Sequence, residues 1–195
     1  GGYKNLEQMR SASTEEIFNL VQKYSKETRQ YIGFSPVIDG YVLPETFSNA
    51  ALAGKISNIP YMIGSTMDDF GPLGSGDVIG RFCIARADKG NKAYAYQFAR
   101  ALPGDNSGAF HSSELWYIFN TLKRSWRPFE KADYDLSYVM VNAWTNFAKY
   151  GNPNEEGKEK WKPYTKQSPN YMLFKIKDNK EASEMGQPLP PSVKR

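Results

Sequence analysis

One histidine and two neighbouring aspartates are the residues of this chain whose types suit proton transfer. His111, the only histidine among 195 residues, lies in the stretch GAFHSSELWYIF, residues 108–119. Histidine can accept and return a proton near neutral pH without help. Asp68 and Asp69 supply adjacent carboxylates in the stretch STMDDFG. On spacing alone, a packing or capping histidine and an ordinary solvated turn are the favoured interpretations.

The elements around these residues predict where they are placed. Residues 59–64, IPYMIG, form a short apolar run typical of strands buried on both faces of a parallel sheet, and the two aspartates follow. A helix is predicted over residues 77–87. Residues 93–99 then alternate as a strand with Tyr94, Tyr96 and Phe98 on one face. The histidine stretch comes next, so the order predicts an α/β fold with functional groups at the carboxyl ends of strands.

Further helices and an extended segment are predicted elsewhere in the chain. A helix over residues 13–31 opens with the capping-box pattern of Ser13 and Glu16. Ser112 and Ser113 are the predicted caps of a helix that follows the histidine. The remaining predictions are a short helix over 46–53, an amphipathic helix over 133–150, an extended segment over 171–177 and a loosely ordered tail over 181–195.

Composition argues against several function classes. The net charge is +4, but the densest basic stretch, residues 158–166, lies beside several acids, so a solvated face is favoured over a nucleic-acid site. No apolar run reaches the roughly 18 residues that a membrane span needs. With one cysteine, Cys83, and one histidine, the chain is expected to hold no cofactor and no metal. The cellular compartment stays open between cytoplasmic and exported.

Several blocks of sequence, taken in order, resemble the type B carboxylesterases, the family of para-nitrobenzyl esterases and cholinesterases, and especially its bacterial members. The blocks are PVIDGYVLP, IPYMIGSTMDDFG, YAYQF, GAFHSSELWYIF, RPF, WTNFAKYGNPN and WKPY. The resemblance implies the C-terminal part of an α/β-hydrolase fold, a mostly parallel sheet flanked by helices, with the N-terminal half absent. Residues 1–195 would then comprise a helical or cap and connecting segment at 13–54, the last core strands and helices at 55–177, and a tail at 178–195.

The resemblance also implies roles for four residues. His111 matches the family's catalytic histidine, and Asp69 matches the second carboxylate of the family's Gly-x-x-x-Asp-Glu-Gly turn, the acid that orients the histidine. Asp68 is the alternative acid. Glu114 matches a family acid that fixes the histidine loop, although an acid that complements a helix dipole is an equally open interpretation. Ser112 stands where a glycine is common, a change that we expect to be tolerated.

No GxSxG motif occurs in the sequence, so the nucleophilic serine implied by the resemblance would lie outside this chain. The whole protein would be a serine carboxylesterase acting on small-molecule esters, with the N-terminal half of the same hydrolase as the partner of this chain. Alone, the chain is expected to be almost inactive and to self-associate through exposed apolar surface. The competing interpretation is a non-catalytic binding or scaffolding member of the same fold. The presence of His111 and of a carboxylate at the acid position favours catalysis.

Overall fold

The computed structural model describes residues 2–30, 35–69 and 76–186. The chain divides into two units, residues 1–46 and residues 47–195. Among the described residues, the smaller unit contains two helices and the larger unit contains every strand. Both aspartates and the histidine belong to the larger unit.

The smaller unit begins with helices α1 (Leu6–Ser11) and α2 (Thr14–Thr28). The predicted cap of α2 is confirmed, because the Ser13 hydroxyl oxygen accepts the backbone N–H of Glu16 at 3.1 Å. Helix α2 ends before the predicted residue 31, because Arg29 adopts a left-handed φ of 54°. Helix α1 has no counterpart among the sequence predictions. Residues 31–34, in which the end of the predicted helix falls, lie outside the described residues.

The larger unit is built on a sheet whose strands lie in the order β1, β2, β3, β6. Strands β1 (Tyr61–Thr66), β2 (Ala93–Phe98) and β3 (Tyr171–Phe174) are parallel, and β6 (Glu184–Gly186) is antiparallel to β3. The predicted short helix is confirmed as α3, residues 47–52, and the next as α4, residues 76–87, between β1 and β2. The predicted mostly parallel sheet flanked by helices is confirmed.

The alternation of β2 places its side chains in two clusters on opposite faces of the sheet. Tyr94 and Phe98 pack in the cluster that includes α6 (Lys131–Tyr150), and Ala93 and Ala95 pack in the cluster that includes α4. This division is the one predicted from the alternation of large and small residues. Strand β2 is therefore buried on both faces and anchors the chain that leads to the histidine.

The predicted amphipathic helix over residues 133–150 is confirmed as α6 and begins two residues earlier, at Lys131. Glu130 and Asp133 form a reciprocal capping box, in which each side chain accepts a backbone N–H of the other residue. The cap makes the first turn of the helix regular and so moves its start upstream.

Strand β1 is less buried than the sequence predicts. Residues 61–64 are only half-buried, because β1 lies at the edge of the sheet within the described residues. Gly64 lies against the ring of Tyr96 on the neighbouring strand, and a Cβ at this glycine would come within 2.4 Å of that ring. Glycine therefore allows the two strands to pair at this point.

The predicted loosely ordered tail is wrong up to residue 186. Strands β4 (Ile176–Lys177) and β5 (Lys180–Glu181) form a hairpin, and β6 joins the main sheet. The predicted extended segment over 171–177 is confirmed as β3 and β4. Strands of two or three residues carry too little alternation to be recognised from sequence. Residues 187–195 lie outside the described part of the chain.

Candidate active site

The loops that follow β1 and β2 pair with each other beyond the ends of the strands. The Met67 N–H donates to the Phe98 carbonyl at 2.9 Å, and the Asp68 N–H donates to the Ala109 carbonyl at 3.0 Å. Asp68 and Phe110 thereby form an isolated parallel bridge. Because β1 and β2 are parallel, their carboxyl ends meet at one edge of the sheet. The residues that follow this bridge on each loop are consequently neighbours.

Those two residues, Asp69 and His111, are in direct contact. The His111 Nδ1 lies 2.6 Å from the Asp69 Oδ1, the distance of a short charge-assisted hydrogen bond. The two side chains are 53% and 21% exposed, respectively. A carboxylate at Nδ1 keeps the proton of a neutral imidazole on that nitrogen and leaves Nε2 as the proton acceptor. The pair can therefore act as a general base with a fixed tautomer.

Asp68 makes different contacts from its neighbour. Its Oδ2 accepts the backbone N–H of Ala109 at 2.8 Å, so the side chain joins the acidic loop to the histidine loop. Gly108 has a φ of 70°, and a Cβ there would lie 2.3 Å from the Asp68 Oδ2. Glycine is required at this position both by the backbone conformation and by the close approach. Asp68 thus binds the backbone of the loop, whereas Asp69 binds the imidazole.

Glu114 is coupled electrostatically to the same pair. Burial raises the pKa of its carboxyl, and the negative charge of Asp69 raises it further, while its own backbone N–H and His111 oppose the shift. The Glu114 Oε2 is buried without a hydrogen-bond partner within the described residues. Glu114 caps the one-turn helix α5 (Leu115–Ile118), but its side chain makes no cap hydrogen bond. Burial, followed by the charges of Glu114 and Asp69, also raises the pKa of Tyr96.

The predicted serine caps of the helix after the histidine are wrong. Helix α5 starts only at Leu115, because the chain first turns back through a hydrogen bond from the Ser113 N–H to the Phe110 carbonyl. The Ser113 hydroxyl is buried and has no hydrogen-bond partner in the part of the chain that the structure describes. Ser112 adopts a φ of 65°, the left-handed conformation that favours glycine.

Two arginine–aspartate pairs near these loops were missed by the sequence analysis. Arg127 binds both carboxylate oxygens of Asp105 at 2.9 and 2.8 Å. Arg100 binds both oxygens of Asp133 at 2.8 and 3.2 Å, and the Tyr117 hydroxyl donates to the same carboxylate at 2.6 Å. The partners are 22 and 33 positions apart, so no periodicity links them. The RPF block that contains Arg127 was the one available signal.

The described residues also bear on metal binding, thiol chemistry and membrane insertion. No group of three among their His, Cys, Asp and Glu side chains could hold a metal ion. Cys83 is buried, and burial raises the pKa of its thiol to about 12, so it carries little thiolate. None of the described helices combines the length and the apolar character needed to cross a membrane.

Comparisons with known proteins agree on one family. The carboxylesterase family profile matches residues 77–188, which is more than half of the chain. The chain therefore belongs to the carboxylesterase family. An acetylcholinesterase from Leptinotarsa decemlineata is 29% identical over 117 residues, covering 53% of this chain and 18% of that protein. A bile salt-activated lipase from Rattus norvegicus is 32% identical over 91 residues, covering 43% of this chain and 15% of that protein.

A solved structure of a thermophilic PNB esterase shares the fold, with a TM-score of 0.72 at 19% sequence identity. The match covers 92% of this chain and 48% of that structure. The predicted α/β-hydrolase fold is thereby confirmed. The chain spans about half the length of this solved structure and less than a fifth of each of the two relatives.

Proposed function

We propose that this chain supplies the acid and the base of a serine carboxylesterase, with Asp69 as the acid and His111 as the base. The observation that carries the proposal is the 2.6 Å contact between the His111 Nδ1 and the Asp69 Oδ1. Its position adds support, because both residues follow adjacent parallel strands in a chain of the carboxylesterase family.

The proposed reaction uses His111 as a proton carrier. The neutral imidazole donates its Nδ1 hydrogen bond to Asp69 and takes the proton of a serine hydroxyl at Nε2, while the serine oxygen attacks the ester carbonyl. The imidazolium then protonates the departing alkoxide, which leaves an acyl-serine. Water repeats the sequence: it gives a proton to His111, its oxygen forms the carboxylic acid, and the serine recovers its proton. Asp69 stays ionised throughout and stabilises the imidazolium.

The serine and the amides that bind the oxyanion belong, in this proposal, to a part of the hydrolase outside the chain. The absence of a GxSxG motif and the coverage of only 48% of the solved PNB esterase support this assignment. The chain is then the C-terminal portion of an enzyme of the bacterial branch. In this proposal, residues 13–54 are its helical or cap and connecting segment, residues 55–177 its last core strands and helices, and residues 178–195 its tail. Alone, it hydrolyses esters hardly at all, because triad members act as a unit.

Asp68 and Glu114 act on the pair without contacting the ester. Asp68 holds the two loops together through its bond to the Ala109 N–H, at 2.8 Å. Glu114 places a negative charge near His111, which favours the imidazolium that forms during the reaction. The substrates are small-molecule carboxylic esters, the class that gives the family its name.

The remaining half of the hydrolase is also the proposed partner for exposed apolar surface. Val37, Tyr41 and Val42 are 75%, 91% and 72% exposed. Surface of this kind favours association, so the chain without its partner is expected to self-associate. Light scattering tests this expectation, and a strictly monomeric sample would contradict it.

The test of the proposed activity is hydrolysis of para-nitrophenyl acetate and butyrate by the chain extended to its full open reading frame. His111→Ala is expected to lower kcat by on the order of 10⁶-fold. Its unfolding in urea should match that of the parent, because the His111 side chain is 53% exposed. An extended parent without any hydrolysis would instead favour the non-catalytic binding or scaffolding role.

A further inference from the structure

Arg127 closes the loop that leads from β2 to the histidine. Its guanidinium binds both oxygens of Asp105 at 2.9 and 2.8 Å, and it also donates to the Pro103 carbonyl at 2.8 Å. The Asp105 Oδ1 in turn accepts the Ser107 N–H at 3.0 Å. The Arg127 side chain is only 6% exposed. One buried cation thus holds residues 103–107 in a single arrangement.

The same guanidinium lies over the ring of Phe110, the residue that precedes His111. Its central carbon is 5.4 Å from the Phe110 ring centroid and 4.9 Å from that of Trp126. Two other contacts hold Phe110. Its backbone forms a bridge with Asp68, and its ring packs edge-on against Trp116 with 5.9 Å between the ring centroids. Arg127 therefore acts on the residue whose backbone sets the direction in which His111 leaves the loop.

The chemistry of this contact requires arginine rather than any cation. The planar guanidinium can bind a carboxylate with two parallel hydrogen bonds while its flat face rests on an aromatic ring. The hydrogen bonds from Arg127 and from the Ser107 N–H hold the pKa of the Asp105 carboxyl well below its usual range. The ion pair consequently persists across the pH range in which a histidine titrates.

We propose that Arg127, held by Asp105, is a positioning residue that fixes the orientation of the His111 imidazole toward Asp69 through the ring of Phe110. The proposal rests on the proposed function for its catalytic consequence. Its structural content is independent of that function, because the contacts exist whether or not an ester is hydrolysed. A merely stabilising ion pair would lower stability on removal without moving the imidazole.

The sole histidine makes the orientation directly measurable in the 195-residue chain. The Hε1 and Nδ1-bound proton resonances of His111 are recorded by NMR in Arg127→Met, Arg127→Lys and Asp105→Asn. Both resonances should shift in Arg127→Met and Asp105→Asn. They should move less in Arg127→Lys, because lysine keeps the positive charge but cannot form the two parallel hydrogen bonds of the guanidinium. If Arg127→Met does not fold, the other two variants decide.

Ile79→Val is the matched control. Ile79 is 2% exposed and packs in the cluster with α4, on the other face of the sheet. It should lower the melting temperature without moving the His111 resonances. Resonances that superimpose on those of the parent in both Arg127→Lys and Asp105→Asn would overturn the proposal.

Kinetics of the extended protein separate this proposal from the proposed function. Arg127→Lys and Asp105→Asn should lower kcat by on the order of 10- to 100-fold, with KM nearly unchanged, because a small misplacement of a catalytic group slows the chemical step. If the resonances shift while the extended parent hydrolyses no ester, the positioning role stands and the esterase function fails. If hydrolysis occurs and kcat is unchanged in both variants, the positioning role fails and the esterase function stands.

Discussion

Two regions of this molecule hold a carboxylate against a proton donor, and they do so in opposite surroundings. At the loop edge of the sheet, His111 and Asp69 form one hydrogen bond at 2.6 Å, and their side chains are 53% and 21% exposed. At the start of α6, the fully buried Asp133 accepts from Arg100 at 2.8 Å and from Tyr117 at 2.6 Å. The first region can exchange protons with a bound molecule, whereas the Asp133 carboxylate of the second region is closed off from solvent.

The two carboxylates differ in burial, because the Asp133 side chain is fully buried and the Asp69 side chain is 21% exposed. Asp133 also accepts the Glu130 N–H at 3.0 Å, so hydrogen bonds engage both of its oxygens. Burial and the bond to Asp133 raise the pKa of the Tyr117 hydroxyl, which stays a donor at every physiological pH. A network of this kind orders the core, and its hydrogen-bonded groups are not available for proton transfer to a substrate. A reactive pair must be accessible to a bound molecule, and the His111 side chain is 53% exposed.

The largest expected effect comes from replacing the exposed carboxylate. In the extended protein, Asp69→Asn should lower kcat by about 10⁴-fold, because an amide no longer holds the imidazole in the reactive tautomer. The free energy of unfolding in urea should change by less than about 1 kcal/mol, as is usual for accessible ion pairs. Asp68→Asn is the matched control and should retain most of the activity, because the amide oxygen of asparagine can still accept the Ala109 N–H. The reverse order of the two variants would make Asp68 the acid.

Arg100→Met tests the buried region around Asp133 and should act on stability instead of activity. The change leaves the Asp133 carboxylate buried without its cation, which is expected to lower the free energy of unfolding by about 3 to 5 kcal/mol. Urea denaturation followed by tryptophan fluorescence measures the loss. The double variant with Asp133→Asn should recover part of it, because no buried charge then remains. A single variant as stable as the parent would show that Arg100 contributes little to the network.

Gly108→Ala should lower stability at the candidate site itself, because it strains the contact between the acidic loop and the histidine loop. At a φ of 70°, a Cβ would lie 2.3 Å from the Asp68 Oδ2, so we expect a loss of about 2 kcal/mol in stability. Gly90→Ala is the control: its φ is 75°, but nothing lies within 4 Å of the added carbon. The extra loss of stability in Gly108→Ala measures the cost of the close contact with the Asp68 carboxylate. Equal losses in the two variants would mean that backbone strain alone accounts for the effect.

Strand order explains why the acidic loop and the histidine loop could be predicted to lie together. Parallel pairing of β1 and β2 brings the residues after them together, and the period-2 alternation of Tyr94, Tyr96 and Phe98 identifies β2. These patterns place the acidic loop and the histidine loop side by side, where His111 and Asp69 are in contact. The choice of Asp69 over Asp68 came from the resemblance to the carboxylesterases and not from these patterns.

What the sequence analysis missed has no local pattern. The Asp105 to Arg127 pair joins positions 22 residues apart, and its formation depends on how two loops fold over Phe110. Ser112 is of a residue type that often caps helices, yet it adopts a left-handed φ of 65° directly after His111. Tertiary contacts, and not local sequence preferences, determine the structure at the Asp105–Arg127 pair and at Ser112.

The smallest expected effect concerns Glu114, which lies between the two extremes of burial. Burial, assisted by the charge of Asp69, raises the pKa of its carboxyl in the folded chain above the ordinary value of 4.5. The folded chain therefore binds this proton more tightly than the unfolded chain, and the stability gained is complete below pH 4.5 and lost as pH rises through the folded pKa. Glu114→Gln keeps the shape and removes the charge.

Relative to the parent, Glu114→Gln should be equally stable at pH 4 and progressively more stable between the ordinary carboxyl pKa and neutrality. Urea midpoints of both chains across this range give the difference directly and cancel the titration of the other carboxylates. Glu156→Gln, at an exposed carboxylate, serves as the control for the removal of one negative charge. A difference for Glu114→Gln that does not vary with pH would mean that folding does not raise the pKa of the Glu114 carboxyl.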